Sequence, residues 1–158
     1  MTGFVASPSP PPAPIADAIA GDGWWPNLSI AAFREAVRVP ASAASDARVR
    51  EALIGAALTV GDALAAWRLS QEANGAESLA DVPGTTVGGE TRTLILWRRA
   101  VYATAAADLV ETHGDIAATD QGAKANAEER LHAGSQRRAA TVAIRDILGR
   151  PRSRSALL

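Results

Sequence analysis

"SDARVREALIGAALTVGDALAAWRLSQEANG", residues 45–75, decides the fold class. Val49, Leu53, Ala56, Val60, Leu64 and Trp67 recur every three or four residues, the period of a single helix face. Ser45 or Asp46 supplies an N-cap, and Asn74-Gly75 supplies a left-handed stop. At 1.5 Å per residue the helix runs roughly 43 Å. Gly55 and Gly61 lie inside it, each at a cost of ~1 kcal/mol against alanine. A close helix–helix contact would justify that cost.

Downstream, "AESLADVPGTTVGG" (76–89) is the longest break in helical pattern, with turns marked by Pro83-Gly84 and Gly88-Gly89. A third helix is expected over 90–113, burying Leu94, Trp97, Val101 and Leu109, exposing Arg98 and Arg99, and stopping at Gly114. A fourth is expected over 120–148. Its apolar positions Leu131, Val142, Ile144, Ile147 and Leu148 make a weaker stripe, and its first half is nearly all alanine and polar groups. Such a half is poorly buried in a lone subunit.

Upstream, "SIAAFREAVRVP" (29–40) reads as a short helix over 29–39. Ser29 is its cap, Ile30, Phe33 and Val37 its inward face, Arg34, Glu35 and Arg38 its outward face, and Pro40 its end. The fold class is therefore all-α: a small bundle of one short and three longer helices (29–39, 45–74, 90–113, 120–148). Residues 1–22 are rich in proline, which fixes φ and removes donors, and read as a flexible or polyproline-like arm. The helical domain spans 23–149, and 150–158, "RPRSRSALL", is a basic tail with an apolar end.

Composition agrees with a bundle. Of 158 residues 47% are apolar, but only seven are aromatic, so the helices pack through small side chains. There is no cysteine, which rules out disulfides and thiolate metal sites. No apolar run approaches the ~20 residues of a membrane span, and the N-terminus lacks a signal-peptide pattern, so the expectation is a soluble protein with no membrane contact. Charge is uneven. Residues 1–118 carry eight arginines against thirteen carboxylates, a balance of −5, whereas residues 119–158 carry eight cations against four carboxylates, a balance of +4. A subunit that meets copies of itself or different partners at its two ends would show this split, and so would a solvated basic helix.

The chemistry of enzymes is missing from the pattern. His113 and His132 are the only histidines, and neither has a second ligand at the i+4 spacing of a helical metal site. "GTTVGG" (84–89) has no lysine after it and no strand before it, so it is no phosphate loop. No serine lies in a G-x-S-x-G setting. The reading is a non-enzyme with no cofactor and no metal. Duplex binding needs a basic domain, and this one is slightly acidic.

Two of the seven aromatic residues stand side by side in "GDGWWPNLS" (21–29). Pro26 and the Ser29 cap fix how the chain enters the first helix, so Trp24 and Trp25 are held at a defined place. They read as a latch. One indole closes the bundle, and the other lies in the bundle or against a neighbouring subunit; which does which stays open.

Several stretches, taken in order, resemble the head completion (head stabilisation, GPL-type) proteins of contractile-tailed phages. They are "WWPNLSIAAFREAVRV" (24–39), "ARVREAL" (47–53), "LADVPG" (79–84) followed by Gly89-Glu90, "RRAVYATAAADLVETHGDI" (98–116) and "GRPRSRS" (149–155). The likeness runs over about 24–152. Trp24 and Trp25 stand where the family often has phenylalanine, Asn27 where it is often acidic, and Ile30 where it often has proline. The resemblance implies a structural virion protein that joins the portal vertex after DNA packaging, stabilises the filled head and offers the tail a docking surface. Its implied partners are the portal protein, neighbouring copies in a ring (a dodecamer on the portal), a tail-terminator or other neck protein, and non-specific contact with packaged DNA. Its implied place is the head–tail neck, after assembly in the host cytoplasm. The interface residues expected on this reading are Trp24, Trp25 and Pro26 at the root of the arm, Arg150, Pro151, Arg152 and Arg154 toward portal or neighbour, and Arg137, Arg138 and Arg145 toward a neighbour or DNA. The residues leave two rivals open, a small helical DNA-binding regulator acting through its basic tail and a transient assembly scaffold.

Overall fold

The computed structural model describes residues 16–37, 44–114 and 120–150. Four helices carry the fold: α1 (Ile30–Val37), α2 (Asp46–Ala73), α3 (Arg92–Gly114) and α4 (Asp120–Ile147). All four lie within two residues of the expected ends, apart from the end of α1, where residues 38 and 39 fall outside the described residues.

Each boundary has a local cause. Ser29 caps α1 by accepting the Ala32 N–H at 3.0 Å. Asp17 reinforces that cap from twelve residues upstream, accepting the Ser29 hydroxyl and the Ala31 N–H, each at 2.7 Å. Ser45 caps α2, accepting from the Arg48 N–H at 3.4 Å. Gly75, at φ +93°, supplies the left-handed stop after α2. Gly149, at φ +66°, ends α4 with the Arg150 N–H donating to the Arg145 carbonyl at 2.9 Å.

Two small antiparallel ribbons accompany the helices, one before α1 and one between α2 and α3. β1 (Ala18–Ile19) pairs with β2 (Leu28–Ser29), and β3 (Thr86–Val87) pairs with β4 (Glu90–Thr91) across Gly88-Gly89. Both of those glycines have positive φ, the requirement of a type I′ two-residue hairpin turn. The break at 76–89 is therefore built: a 3₁₀ turn (Leu79–Asp81) buries Leu79 before the hairpin begins.

The first ribbon corrects the sequence reading of residues 1–22 as a segment unable to pack. Ala18–Ile19 finds a strand partner, and Ile19 is buried in the core. Residues 1–15 lie outside the described residues.

The core forms around α3. The α2 stripe of Val49, Leu53, Ala56, Val60 and Leu64 is buried against it, as periodicity predicts, together with Ile30 and Phe33 of α1. The contact of α3 with α4 is the most extensive in the molecule. Alanines are buried on both helices: Ala100, Ala103, Ala105, Ala106 and Ala107 on α3, and Ala133, Ala140 and Ala143 on α4. Small side chains let the two backbones approach closely. The expected α4 stripe is accordingly corrected. Ile147 is buried and Ile144 and Leu148 pack on the core, but Leu131 is 73% exposed and Val142 is only half-buried. The side chains of the first half of α4 lie outside the described residues.

Helix α2 is long and apolar enough, by length and composition alone, to cross a membrane, with a mean hydropathy of 1.4 in its best window. This departs from the sequence reading. Its buried stripe against α1 and α3 accounts for part of that apolar character, 28% of the window being buried.

Candidate functional site

The loop entering α1 is shaped by its own polar atoms. One Asp22 carboxylate oxygen accepts the N–H of Trp24 at 3.1 Å and of Trp25 at 2.9 Å, and the Asn27 side chain accepts the Gly21 N–H at 3.0 Å. The turn is so tight that a Cβ on Gly21 would fall 2.0 Å from the Trp25 carbonyl oxygen. The Trp24 carbonyl in turn accepts the Leu79 N–H at 3.0 Å, tying in the 3₁₀ turn.

This turn delivers both indoles to the bundle, where they meet the other two tryptophans of the chain. Trp24 is buried, lying edge-on to Trp25 (ring centroids 4.4 Å) and to Trp67 (5.9 Å). Trp25 is half-buried and stacks on Trp97 at 5.6 Å with an interplanar angle of 10°. Trp24 is thus the indole that closes the bundle. Trp25 covers α3 and lines, with Ile19, Leu28, Ile54 and Leu58, an apolar groove of about 250 Å³. Gly61 of α2 lies below it, where a Cβ would stand 3.6 Å from the Trp25 indole nitrogen.

Arg68 completes the cluster, and sequence reasoning missed it. Its guanidinium sits 5.0 Å from the Trp24 ring centre and 5.9 Å from that of Trp25, and it pairs with both Glu72 and Asp22. Glu72 is the main cause of its raised pKa, with Asp22 adding to it against the opposing effect of burial. Burial by itself would raise the pKa of Asp22, but the Trp25 N–H, Arg68 and the Trp24 N–H together hold it below the ordinary value. The sequence signal was an arginine next to Trp67, 46 residues from Asp22, and no local spacing reveals that pairing.

The arginines behave differently from one another. Arg137 forks onto Glu111 of α3, with Nε donating at 2.9 Å and Nη2 making the second bond, so its charge is matched inside the chain. That pairing holds its pKa above the ordinary value. Arg138 is exposed and has no partner among the described residues. Arg145 is half-buried, and Arg150 is exposed at the end of α4. Pro26 is half-buried beside Trp25. Pro151, Arg152 and Arg154 lie outside the described residues. Two arginines expected on outward faces are engaged instead. Arg34 donates to Asp46 and to the Ala44 carbonyl, clamping α1 to the start of α2, and Arg98 makes a two-bond fork to Glu90, which raises its pKa. Arg99 is exposed as expected, and with Tyr102 and His132 it lines a second groove of about 460 Å³ between α1 and α4.

The cluster is thus a packed latch. Trp24 has no open face for a base or a lipid, and Arg34, Arg68, Arg98 and Arg137 pair with carboxylates of the same chain. What remains outward are single charges and apolar side chains on helix faces.

Comparison with known proteins adds one match. The family model of the phage head completion protein (GPL) matches residues 19–158. No curated protein and no solved structure matches the chain.

Proposed function

The chain belongs to the phage head completion protein (GPL) family, matched over nearly its whole length, and on that premise we propose that it closes the portal vertex of a filled phage head. Membership makes it a bacteriophage virion component that works with other head or neck proteins. On our reading the subunits join the portal after DNA packaging, stand in a ring that follows the portal's symmetry, hold the genome in and present a docking surface to the tail. The role is structural, with no catalytic step and no cofactor. The neck is its place in the particle.

The observation that carries this reading is the extent of the family match, from residue 19 in the strand that opens the fold to residue 158 in the basic tail. Two structural features support it. The root of the N-terminal arm is fastened to the bundle by Trp24, Trp25 and Asp22, so an arm leaving at Ala16 starts from a fixed point. The C-terminal tail likewise leaves from a capped helix end at Gly149-Arg150. Terminal segments that start from fixed points suit contacts with neighbouring subunits. We place Arg150, Pro151, Arg152 and Arg154 at the portal or neighbour contact, and Arg138 and Arg145 toward a neighbour.

The test is removal of the protein from an infection. Particles assembled without it should include DNA-filled heads that leak their genome and join no tails, as seen by electron microscopy and sedimentation. Mass spectrometry of normal virions should find the chain in the mature particle. Tailed, stable particles made without it overturn the reading.

A further inference from the structure

The apolar groove beside Trp25 has the makings of a binding site. Trp25, Trp97 and Pro26 line it together with Leu28, Ile54 and Leu58, and Leu58 is 65% exposed. The Trp25 indole N–H has no hydrogen-bond partner among the described residues, and it is not sealed from solvent. Grooves lined by aromatic rings are where polyproline II segments dock. The carbonyls of such a segment make no bonds of their own, so each can accept from an indole N–H, and its stiffness leaves little entropy to lose.

The chain carries a ligand of this class. Residues 7–14 read "SPSPPPAP", and Pro8, Pro11 and Pro14 stand three apart, on one edge of a helix with three residues per turn. No side chain of residues 1–15 is charged, which suits an apolar groove. Four residues, Pro8 to Pro11, extend about 12 Å in that conformation. The stretch of α2 along the groove, from Ile54 to Gly61, is about as long, roughly 10 Å.

Direction decides whose arm enters. Arg50 of α2 reaches the Ala16 and Ala18 carbonyls at 3.5 and 3.4 Å, and Arg68, further along the same helix, pairs with Asp22. The strap therefore runs along α2 in the direction of the helix, past the groove that Ile19 to Asp22 help to line. Followed back toward residue 1, the chain has left the groove behind when it reaches Ala16. To return, it would have to reverse at Ile15, between a proline and a residue held by Arg50. The arm of an adjacent copy needs no such reversal, and residues 12–15 give it about 12 Å to cross.

We infer that the Trp25 groove is a polyproline-binding site, and that Pro8 to Pro11 of a neighbouring copy's arm occupies it with a carbonyl accepting from the Trp25 indole. This deepens the reading of the chain as a subunit that joins copies of itself, and rests on it. Each copy gives one arm and receives one. An arm that crosses between copies fixes no angle between their helices, so the exchange fits a closed ring of any rotation.

The groove is tested in solution, with full-length protein and a synthetic peptide of residues 6–15. Nitrogen–proton NMR resolves the indole N–H signals, and Trp25→Phe identifies that of Trp25. Millimolar peptide should move this signal saturably. A peptide with alanine at positions 8, 10 and 11, or Leu58→Arg in the protein, should weaken binding about tenfold or more. An unmoved Trp25 signal overturns the inference, and so does equal binding of the alanine peptide. The exchange is tested in purified particles, using the absence of cysteine from the chain. Ser9→Cys/Leu58→Cys protein treated with a short bismaleimide should give a ladder of multimers, and either single-cysteine variant should give monomer. An internal cross-link without a ladder means that each arm fills its own groove, and a dimer from Ser9→Cys alone means that arm meets arm; either overturns the exchange. So does the absence of any cross-link in particles that contain the protein. Particles that lack the protein overturn the head-completion reading instead, and the peptide titration then decides the groove by itself.

Discussion

Gly21 and Gly61 both lie against Trp25, the first against its backbone and the second against its indole, and the two contacts have opposite consequences. At Gly21 a methyl group would meet the Trp25 carbonyl oxygen at 2.0 Å, so the backbone of the turn must move and the Asp22 bonds to Trp24 and Trp25 must move with it. At Gly61 the same methyl would stand 3.6 Å from the indole nitrogen, an ordinary contact, within a helix where glycine costs about 1 kcal/mol. Gly21→Ala should therefore destabilise the fold by about 1–3 kcal/mol. Gly61→Ala should stabilise it by up to ~1 kcal/mol. Urea unfolding of the two variants checks both signs, and a gain from Gly21→Ala would mean that the tight turn is not what holds the tryptophans. At this scale the sequence was only partly legible. That Trp24 and Trp25 are held in place follows from Pro26 and the Ser29 cap. Their division of labour does not, because Trp67, Arg68 and Trp97 are brought to them by the packing of α2 and α3.

Three of the four helices were legible from their punctuation, a serine cap before α1 and α2 and left-handed glycines after α2 and α4, and α3 from the spacing of Leu94, Trp97, Val101 and Leu109. What periodicity misjudged was α4. A stripe search weighs large apolar residues, and on this helix the large ones at 131 and 142 face outward while the buried seam is Ala133, Ala140 and Ala143. Close packing through alanine leaves little hydropathy signal, so Leu131 and Val142 looked like part of the core face that Ile144, Ile147 and Leu148 do belong to. The ribbons were illegible for another reason. A two-residue strand has no period, and β1 exists because Asp17 beside it caps α1 through Ser29 and Ala31. That cap gives the element-scale prediction. Ser29→Ala removes an acceptor from the Ala32 N–H and a donor to Asp17, and should cost about 1 kcal/mol in chemical denaturation. In a Ser29→Ala/Asp17→Ala double variant the two losses should be less than additive, because the residues share one hydrogen-bonded cap. Strict additivity would show two independent roles.

Across the whole molecule, residues 16–29 act as a strap over three helices. Asp17 holds the start of α1, Arg50 of α2 reaches the Ala16 and Ala18 carbonyls at 3.5 and 3.4 Å, Asp22 meets Arg68 near the far end of α2, and Trp25 lies on Trp97 of α3. α4 is outside the strap and is held to α3 by its alanine seam and by the Arg137–Glu111 fork. The fork is surface-exposed, so the seam does most of that work. The arrangement predicts where the chain can be shortened. A protein beginning at Ala16 keeps every contact of the strap, whereas one beginning at Gly23 loses the burial of Ile19, the Asp17 cap and the Asp22–Arg68 pair together. Burial of one isoleucine side chain with one or two lost hydrogen bonds amounts to about 2–4 kcal/mol, so the shorter chain should unfold at a clearly lower urea concentration. Its far-ultraviolet circular dichroism under native conditions should stay close to that of the longer one, since all four helices are retained. Equal midpoints for the two chains would mean that the strap adds nothing to stability and that α1, α2 and α3 hold together without it.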